Sequence, residues 1–316
     1  MRDFCVKMHV PQRTLDSAWE QGQVYGRMGA ALAAFGGRFE FVLHNRETAL
    51  SQIEADGDFH IFERGAIQHP RALNCGSAYI APYHYLDPVG TRYLSSIGQM
   101  AFDASSIDLA KAQAFQAELF AAQVTPRKSR YEQPNARLDV PPGCIAVFLQ
   151  SETHRGVGEA RYVSMRQMVK ALIARDDPRP IVIKPHPRDM DFETLGWLAQ
   201  KRRKDKRIHI LPANIHDILG AASVVVTINS AVGIEAMIHG RAVIICGQAD
   251  FHHATEIVRN REGFDAAISR AEGRDWPHAQ FLYWFFQMNC ISMTSPRLGQ
   301  DVMAKIAATG YFDSMG

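Results

Sequence analysis

The sequence predicts an α/β protein built on a parallel sheet wrapped by helices, and three observations predict it. Short β-branched runs at Ile181–Ile183, Ser223–Thr227 and Ala242–Cys246 each end abruptly in polar or glycine-containing turns. Between the last two, Ala231–His239 is apolar-periodic and has the length of a short helix. Strands apolar on both faces and alternating with helices form sheets covered on both sides. Ligands in such sheets sit at the carboxyl ends of the strands. Here those ends carry Lys184, His186, Arg188, Asn229 and Ser230, a set suited to phosphate.

Along the chain, Ser17–Phe35 has one apolar helical face and a stop at Gly36-Gly37. Phe39–Leu43 and Phe59–Glu63 are strand candidates, the first ending in His44-Asn45-Arg46-Glu47. The aromatic run from Ser77 to Gly90 is interrupted by prolines, so part of it is expected to be loop. Asp108–Val124 is Ala-rich and favours helix. Thr125–Pro142 is polar and charged and holds four prolines, the composition of an interdomain linker. The strand Cys144–Leu149 ends at Gln150, and a helix over Ala160–Arg175 leads to the strand before Lys184. Asn214 is an expected N-cap, with Asp217 favouring the helix start. The aromatic stretch Gln280–Cys290 suits a core, and Gly299–Ala308 reads as a last helix.

The expected organisation is an N-terminal domain over 1–124 and a linker over 125–142. A C-terminal domain follows over 143–295, and a closing helix over 296–316 packs back on the first domain.

Composition bounds the function. At 316 residues, 47% hydrophobic and 22% charged, the chain suits two globular domains. A net charge of +2 gives no electrostatic signature of a nucleic-acid partner. Five scattered cysteines, odd in number and without a CxxC pair, fit a reducing cytoplasm and speak against a disulfide framework. Met1–Arg13 lacks the apolar core of a signal peptide, and no run approaches the roughly 20 apolar residues that span a bilayer. Neither a GxGxxG nor a GxxxxGK[ST] sequence occurs, against dinucleotide oxidoreductases and P-loop NTPases.

Two stretches carry the chemistry. In Lys184-Pro-His-Pro-Arg188 the prolines remove backbone donors and fix the chain direction, so Lys184, His186 and Arg188 project from a stiff turn. Arginine suits phosphate as a bidentate donor and lysine as a point charge, while a histidine can donate to a phosphate or protonate it as it leaves. Thr227–Gly233 joins a strand to a helix whose first amides favour an anion, and Glu235 on its first turn suits a ribose diol. The bland alternatives are a Pro-rich surface turn and simple capping by Ser230. Asp250-Phe-His252-His253 lacks a third spaced ligand and is expected to be a polar loop. Lys201–Arg207 is expected to be a solvated helix end, with contact to an anionic membrane surface as the alternative.

With these residues in place, the chain resembles the bacterial capsular polysaccharide biosynthesis family, which includes the retaining β-Kdo transferases. The resemblance rests on KPHPRD (184–189), on TINSAVGIEAMIHGRAVIICG (227–247) and on their spacing. It is looser in the first half, through HNRE, RALNCGSAY and YLDPVGTRYLSSIG. It implies a GT-B architecture, two Rossmann-like domains facing each other across a cleft. It also implies a CMP-activated Kdo donor, held by Lys184, His186, Arg188, Asn229, Ser230, Glu235 and Gln150, with no metal or other cofactor. The implied acceptor is a capsule or lipopolysaccharide glycan or glycolipid, handled in the cytoplasm or peripherally at the inner membrane. Retention needs a carboxylate nucleophile, for which the resemblance offers Asp87 first and Glu47 second, with His186 acting on the phosphate. The chain departs from the β-Kdo transferase pattern at Leu86-Asp87-Pro88-Val89-Gly90, where an acidic-Asp-Gly run is expected. Asp87 before Pro88 is equally a turn initiator. The alternatives are an enzyme of the same architecture using a UDP-sugar, and a non-catalytic member binding a glycan or an assembly partner.

Overall fold

The computed structural model describes residues 4–16, 24–150, 160–186 and 192–313. The chain divides into two compact units: unit 1 holds residues 1–101 and 285–316, and unit 2 holds residues 102–284. Elements are numbered along the chain.

Unit 1 contains β1 (Phe4–Val10), α1 (Gln12–Leu15), α2 (Val24–Ala33), β2 (Gly37–Leu43), α3 (Ala49–Glu54), β3 (Phe59–Glu63), β4 (Ala72–Ser77), β5 (Tyr83–Asp87), β12 (Ile291–Ser292) and α11 (Leu298–Ala307). Its sheet runs β12-β5-β4-β3-β1-β2. The four strands β2, β1, β3 and β4 are parallel, while at one edge β5 runs antiparallel to β4 and β12 antiparallel to β5. Strand alternation puts Val6, Met8 and Val10 on one face, where they share a core with Met28 and Leu32 of α2 and with Leu298, Val302 and Ile306 of α11. The two helices approach closely: a Cβ at Gly299 would stand 2.7 Å from the Ala31 carbonyl oxygen. The opposite face carries Lys7, His9 and His60, with only a small apolar cluster of Ala49, Ile53, Phe62 and Ala72 beside them.

Unit 2 contains α4 (Leu109–Leu119), β6 (Cys144–Phe148), α5 (Met165–Ile173), β7 (Ile181–Lys184), α6 (Phe192–Lys204), β8 (Ile208–Ile210), α7 (Ile215–Ala221), β9 (Ala222–Thr227), α8 (Val232–Ile238), β10 (Ala242–Ile245), β11 (Glu256–Ile257), α9 (Phe264–Gly273) and α10 (His278–Tyr283). Its sheet, β11-β10-β9-β6-β7-β8, is parallel throughout. Both faces are covered, so β6, β7 and β10 are buried along their whole length. Helix α5 starts at a Ser164–Gln167 capping box and lays Met165, Met168, Val169 and Leu172 on the sheet. Such a cap contributes about 1 kcal/mol.

The unit boundaries differ from the sequence expectation. Helix α4 packs against α10 and α8, so unit 2 begins at Phe102 and not after 142. The segment 125–142 is part of unit 2 and is tied to α7, and unit 1 resumes at Phe285. The aromatic stretch divides there: Phe281 is buried in unit 2, and Phe285 and Phe286 in unit 1. The sequence reading also passed over β1, β4, β12 and their pairings.

Candidate functional site: the carboxyl rim of the unit 2 sheet

Counted within unit 2, the strand order β8-β7-β6-β9-β10-β11 is 3-2-1-4-5-6. The order reverses between β6 and β9, and in doubly wound sheets that reversal opens a crevice at the carboxyl ends. Thr227 Oγ1 donates to the Phe148 carbonyl at 3.0 Å, holding the two strand ends level. Just beyond, the Gln150 amide donates to Asn229 Oδ1 at 2.8 Å and accepts from the Asn229 backbone N–H at 3.3 Å. Asn229 Nδ2 donates onward to the Gln248 carbonyl at 2.9 Å. Gln150 and Asn229 are therefore brought together, but as a staple across the ends of β6, β9 and β10.

The remaining expected residues divide between rim and interior. Ser230 is half-buried one residue before the N-cap Ala231, and its Oγ accepts from the Val232 N–H at 3.4 Å at the first residue of α8. Gly233 lets this helix close on Phe251, whose ring would stand 2.8 Å from a Cβ there. The segment 250–253 is the expected loop, with His252 and His253 half-buried, but Phe251 is fully buried and Asp250 nearly so, which packs it onto unit 2. Among the described residues, no group of three or more His, Cys, Asp or Glu side chains is placed to hold a metal.

Lys184 does not project from the turn as expected. It is buried, its Nζ donates to the Ala213 carbonyl at 2.5 Å, and burial pushes its pKa down. An ammonium withdrawn from water takes the nearest strong acceptor, here the loop after β8. His186 stays half-buried at the rim, and Arg188 lies outside the described residues. The run 201–207 is likewise only partly solvated: Arg207 pairs with Asp205 and donates to the carbonyls of Ile173, Arg175 and Asp177.

The sequence reading missed the strap that crosses this rim. Residues 125–142 are laced to unit 2 by Arg127, whose guanidinium grips both Asp217 oxygens at 3.1 and 2.5 Å. The expected cap at Asn214 is present, since its Oδ1 accepts from the His216 N–H, and its Nδ2 also donates to the Arg127 and Pro134 carbonyls. His216 Nε2 donates to the Lys128 carbonyl at 2.7 Å, and His216 Nδ1 lies 3.0 Å from His239 Nε2. Two strap side chains reach expected site residues. The Tyr131 ring meets the His186 ring edge-on at 5.3 Å, and Ser129 hydrogen-bonds the Glu235 side chain. Desolvation raises Glu235 to about 7, and the Ser129 bond offsets this in part. The rim thus offers an imidazole, a phenol, two hydroxyls and a carboxyl poised near neutrality. Only the lone tyrosine in a charged, Pro-rich stretch hinted at the strap.

In unit 1 the two expected carboxylates differ. Asp87 is buried: Oδ1 accepts from the N–H groups of Val89, Gly90 and Ser96, and Oδ2 from the Ser96 N–H and hydroxyl, the latter at 2.6 Å. A carboxylate holding a turn through both oxygens has little nucleophilic character, so the geometry favours the turn-initiating role. Glu47 is exposed in the loop after β2, where its backbone N–H donates to Asn45 Oδ1 at 3.0 Å.

Two α/β units, one of them a 3-2-1-4-5-6 parallel sheet, define a protein of the GT-B fold class. The profile of the family described as "Capsule polysaccharide biosynthesis protein" matches residues 147–266, a stretch that holds most of the unit 2 sheet and its rim. No curated protein sequence matches the chain. Among solved structures, the chain is similar to Thermosulfurimonas dismutans KpsC, beta Kdo 2,7 transferase, with TM-score 0.55 and 13% identity over 96% of this chain and 98% of that one. It is also similar to Thermosulfurimonas dismutans KpsC, beta Kdo 2,4 transferase, with TM-score 0.52 and 16% identity over 89% and 90%. At these identities the structural likeness concerns the fold. Among the described residues no helix is long and apolar enough to cross a membrane.

Proposed function

We propose that the protein is a glycosyltransferase that moves Kdo, or a related 3-deoxy-ulosonic acid, from a CMP donor to a bacterial capsule glycan. The observation that carries this reading is a coincidence of position. The capsule-family match spans 147–266, and Gln150, His186, Asn229, Ser230 and Glu235 all lie inside it at one sheet rim. The fold shared with the two Kdo transferases supports the same reading.

In this reading the cytidine monophosphate lies across the switch point between β6 and β9. His186 and the Ser230–Val232 turn meet the phosphate, with Arg188 assigned to the same task by its place in the motif. Glu235 and Ser129 meet the ribose, and Tyr131 covers the site. Hydrogen-bond donors preset around the leaving phosphate stabilise its charge, so the reaction is expected to run in excess EDTA. In a retaining route Glu47 is the better nucleophile, because both Asp87 oxygens are engaged by their own turn. The exposed Arg202, Arg203 and Lys204 at the end of α6 suit contact with an anionic membrane surface that presents a glycolipid acceptor.

The test is calorimetric titration with CMP and with UMP, repeated on His186→Ala, followed by turnover of CMP-Kdo. CMP binding that UMP does not share, weakened at least tenfold in the variant, supports the donor site. A preference for UMP would transfer the reading to a UDP-sugar enzyme, and binding without turnover to a non-catalytic glycan-binding member.

A further inference from the structure

On the polar face of the unit 1 sheet a line of side chains runs from solvent toward the strand ends. Asp56 is held by Lys7 at 2.5 Å, and its Oδ1 lies 3.1 Å from His60 Nε2. His60 Nδ1 lies 2.9 Å from His9 Nε2. Burial alone would raise Asp56, but bonds from Lys7, the Asp58 backbone and His60 outweigh it and hold the carboxyl at about 2. The carboxylate is therefore ionised and only accepts. Neutral His60 must then carry its proton on Nε2 and a lone pair on Nδ1. It follows that His9 donates through Nε2 and carries its own lone pair on Nδ1.

That His9 Nδ1 is buried and has no partner among the described residues, and the same holds for His44 Nε2. Both rings border Phe62, the His9 ring stacked at 4.1 Å and the His44 ring edge-on at 5.6 Å. Through its ring His44 hydrogen-bonds the Glu63 backbone, and a carbonyl only accepts, so its free Nε2 is also a lone pair. Two neighbouring acceptors without donors stand at the carboxyl ends of the adjacent strands β1 and β2. An anion is the wrong ligand for such a pair. Two adjacent hydroxyls, one O–H for each lone pair, are the right one.

We propose that His9 and His44 receive two adjacent hydroxyls of a sugar acceptor, one each, and that His9 takes the proton of its hydroxyl through a relay ending at Asp56. This rests on the glycosyl-transfer reading above. In the step, the hydroxyl O–H breaks and its proton joins His9 Nδ1. The oxygen's electron pair forms the new bond to the anomeric carbon, whose leaving group departs with the old bonding pair. The Nε2 proton of His9 passes to His60 Nδ1, and the positive charge comes to rest beside the Asp56 carboxylate. The charged and titratable groups around the line are Lys7 on β1, His44 and Arg46 after β2, Asp56 and Asp58 ahead of β3, His60 and Glu63 on β3 and Arg71 ahead of β4.

The test joins a spectroscopic and a kinetic arm on the full chain. Long-range nitrogen–proton NMR should find Nδ1 unprotonated and Nε2 protonated in both His9 and His60. Addition of methyl Kdo glycoside should shift the His9 and His44 resonances. In turnover of CMP-Kdo onto that glycoside, His9→Gln keeps a donor for His60 but has no basic nitrogen. It should lower kcat at least about 100-fold, with CMP affinity and the acceptor KM within about threefold. Asp56→Asn should lower kcat less and shift the pH profile. A protonated His9 Nδ1, or a folded His9→Gln with unchanged kcat, would overturn the relay. Absence of CMP binding in the wild type would instead refute the donor reading, while the tautomers and the glycoside-induced shifts still decide this one.

Discussion

The two units each hold a pair of stacked histidines, and the pairs are nearly identical in geometry. In unit 1 the rings of His9 and His60 lie 5.1 Å apart at 27°, with a 2.9 Å bond between them. In unit 2 those of His216 and His239 lie 5.3 Å apart at 23°, with a 3.0 Å bond. They differ in what stands at the end. His60 leads to the Asp56 carboxylate, whereas His216 leads to the Lys128 backbone carbonyl. A carboxylate balances a positive charge, and a carbonyl does not. The first pair is therefore built to pass a proton. The second is a latch that holds the strap in register.

Acid should affect both pairs, and this is the largest effect expected. Burial, with neighbouring His60, His44 and Lys7, lowers His9 to about 3. Burial, with His216 and Arg241, lowers His239 to about 4. A histidine with a depressed folded pKa binds protons better in the unfolded chain. Its share of stability is complete above pH 6.5 and is lost as pH falls toward the folded value. Denaturant melts between pH 7 and pH 4 should lose several kcal/mol, on the order of 1 kcal/mol per unit for each such group. His239→Gln should flatten that slope, and an unchanged slope would remove the latch from the explanation.

Turnover should separate the pairs next. His9→Gln is expected to abolish most transfer. His216→Gln is expected to cost about 1–2 kcal/mol of stability and to weaken CMP binding severalfold, because the strap carries Ser129 and Tyr131. Comparable kcat losses in the two variants would erase the distinction between relay and latch.

Glu235 offers a finer probe of the same strap. Its carboxyl is raised from 4.5 to about 7 by desolvation, so its protonated form suits the folded state. Its contribution is complete below pH 4.5 and is lost as pH rises through 7. Glu235→Gln should therefore stabilise the ligand-free protein at pH 8 by about 1–3 kcal/mol and leave stability at pH 4 nearly unchanged. The smallest effect expected is at the strand-end staple. Gln150→Ala removes both bonds that Gln150 makes with Asn229, a loss of about 1 kcal/mol by thermal melting.

The sequence disclosed unit 2 far better than unit 1, for a physical reason. A strand buried on both faces must be apolar throughout, so IVI, SVVVT and AVIIC stand out without knowledge of their neighbours. β1 is equally buried, but Lys7 and His9 interrupt its apolar run because their face meets a polar layer. Nothing local shows that such residues are inside. The histidine pair of unit 1 joins positions 51 apart, and the strap's ion pair joins positions 90 apart. Composition gave the strap its proline and charge but not its anchors, so it read as a linker. Lys184 misled for a related reason: a lysine after a strand looks the same whether its ammonium meets a ligand or the Ala213 carbonyl. Ser230 and His186 reached the rim where expected, because strand ends in a parallel sheet fix their own neighbourhood.

The discontinuity of unit 1 bears on how the chain is made. Unit 2 is one uninterrupted stretch and can consolidate as soon as it leaves the ribosome. Unit 1 has its first 101 residues translated early, yet β12 and α11 are supplied after unit 2 is complete. Until then β5 presents a bare edge, and Met28 and Leu32 lack the helix that covers them. A nascent chain halted at Trp284 would hold a finished domain beside an unfinished one, and it would be a natural client for chaperones.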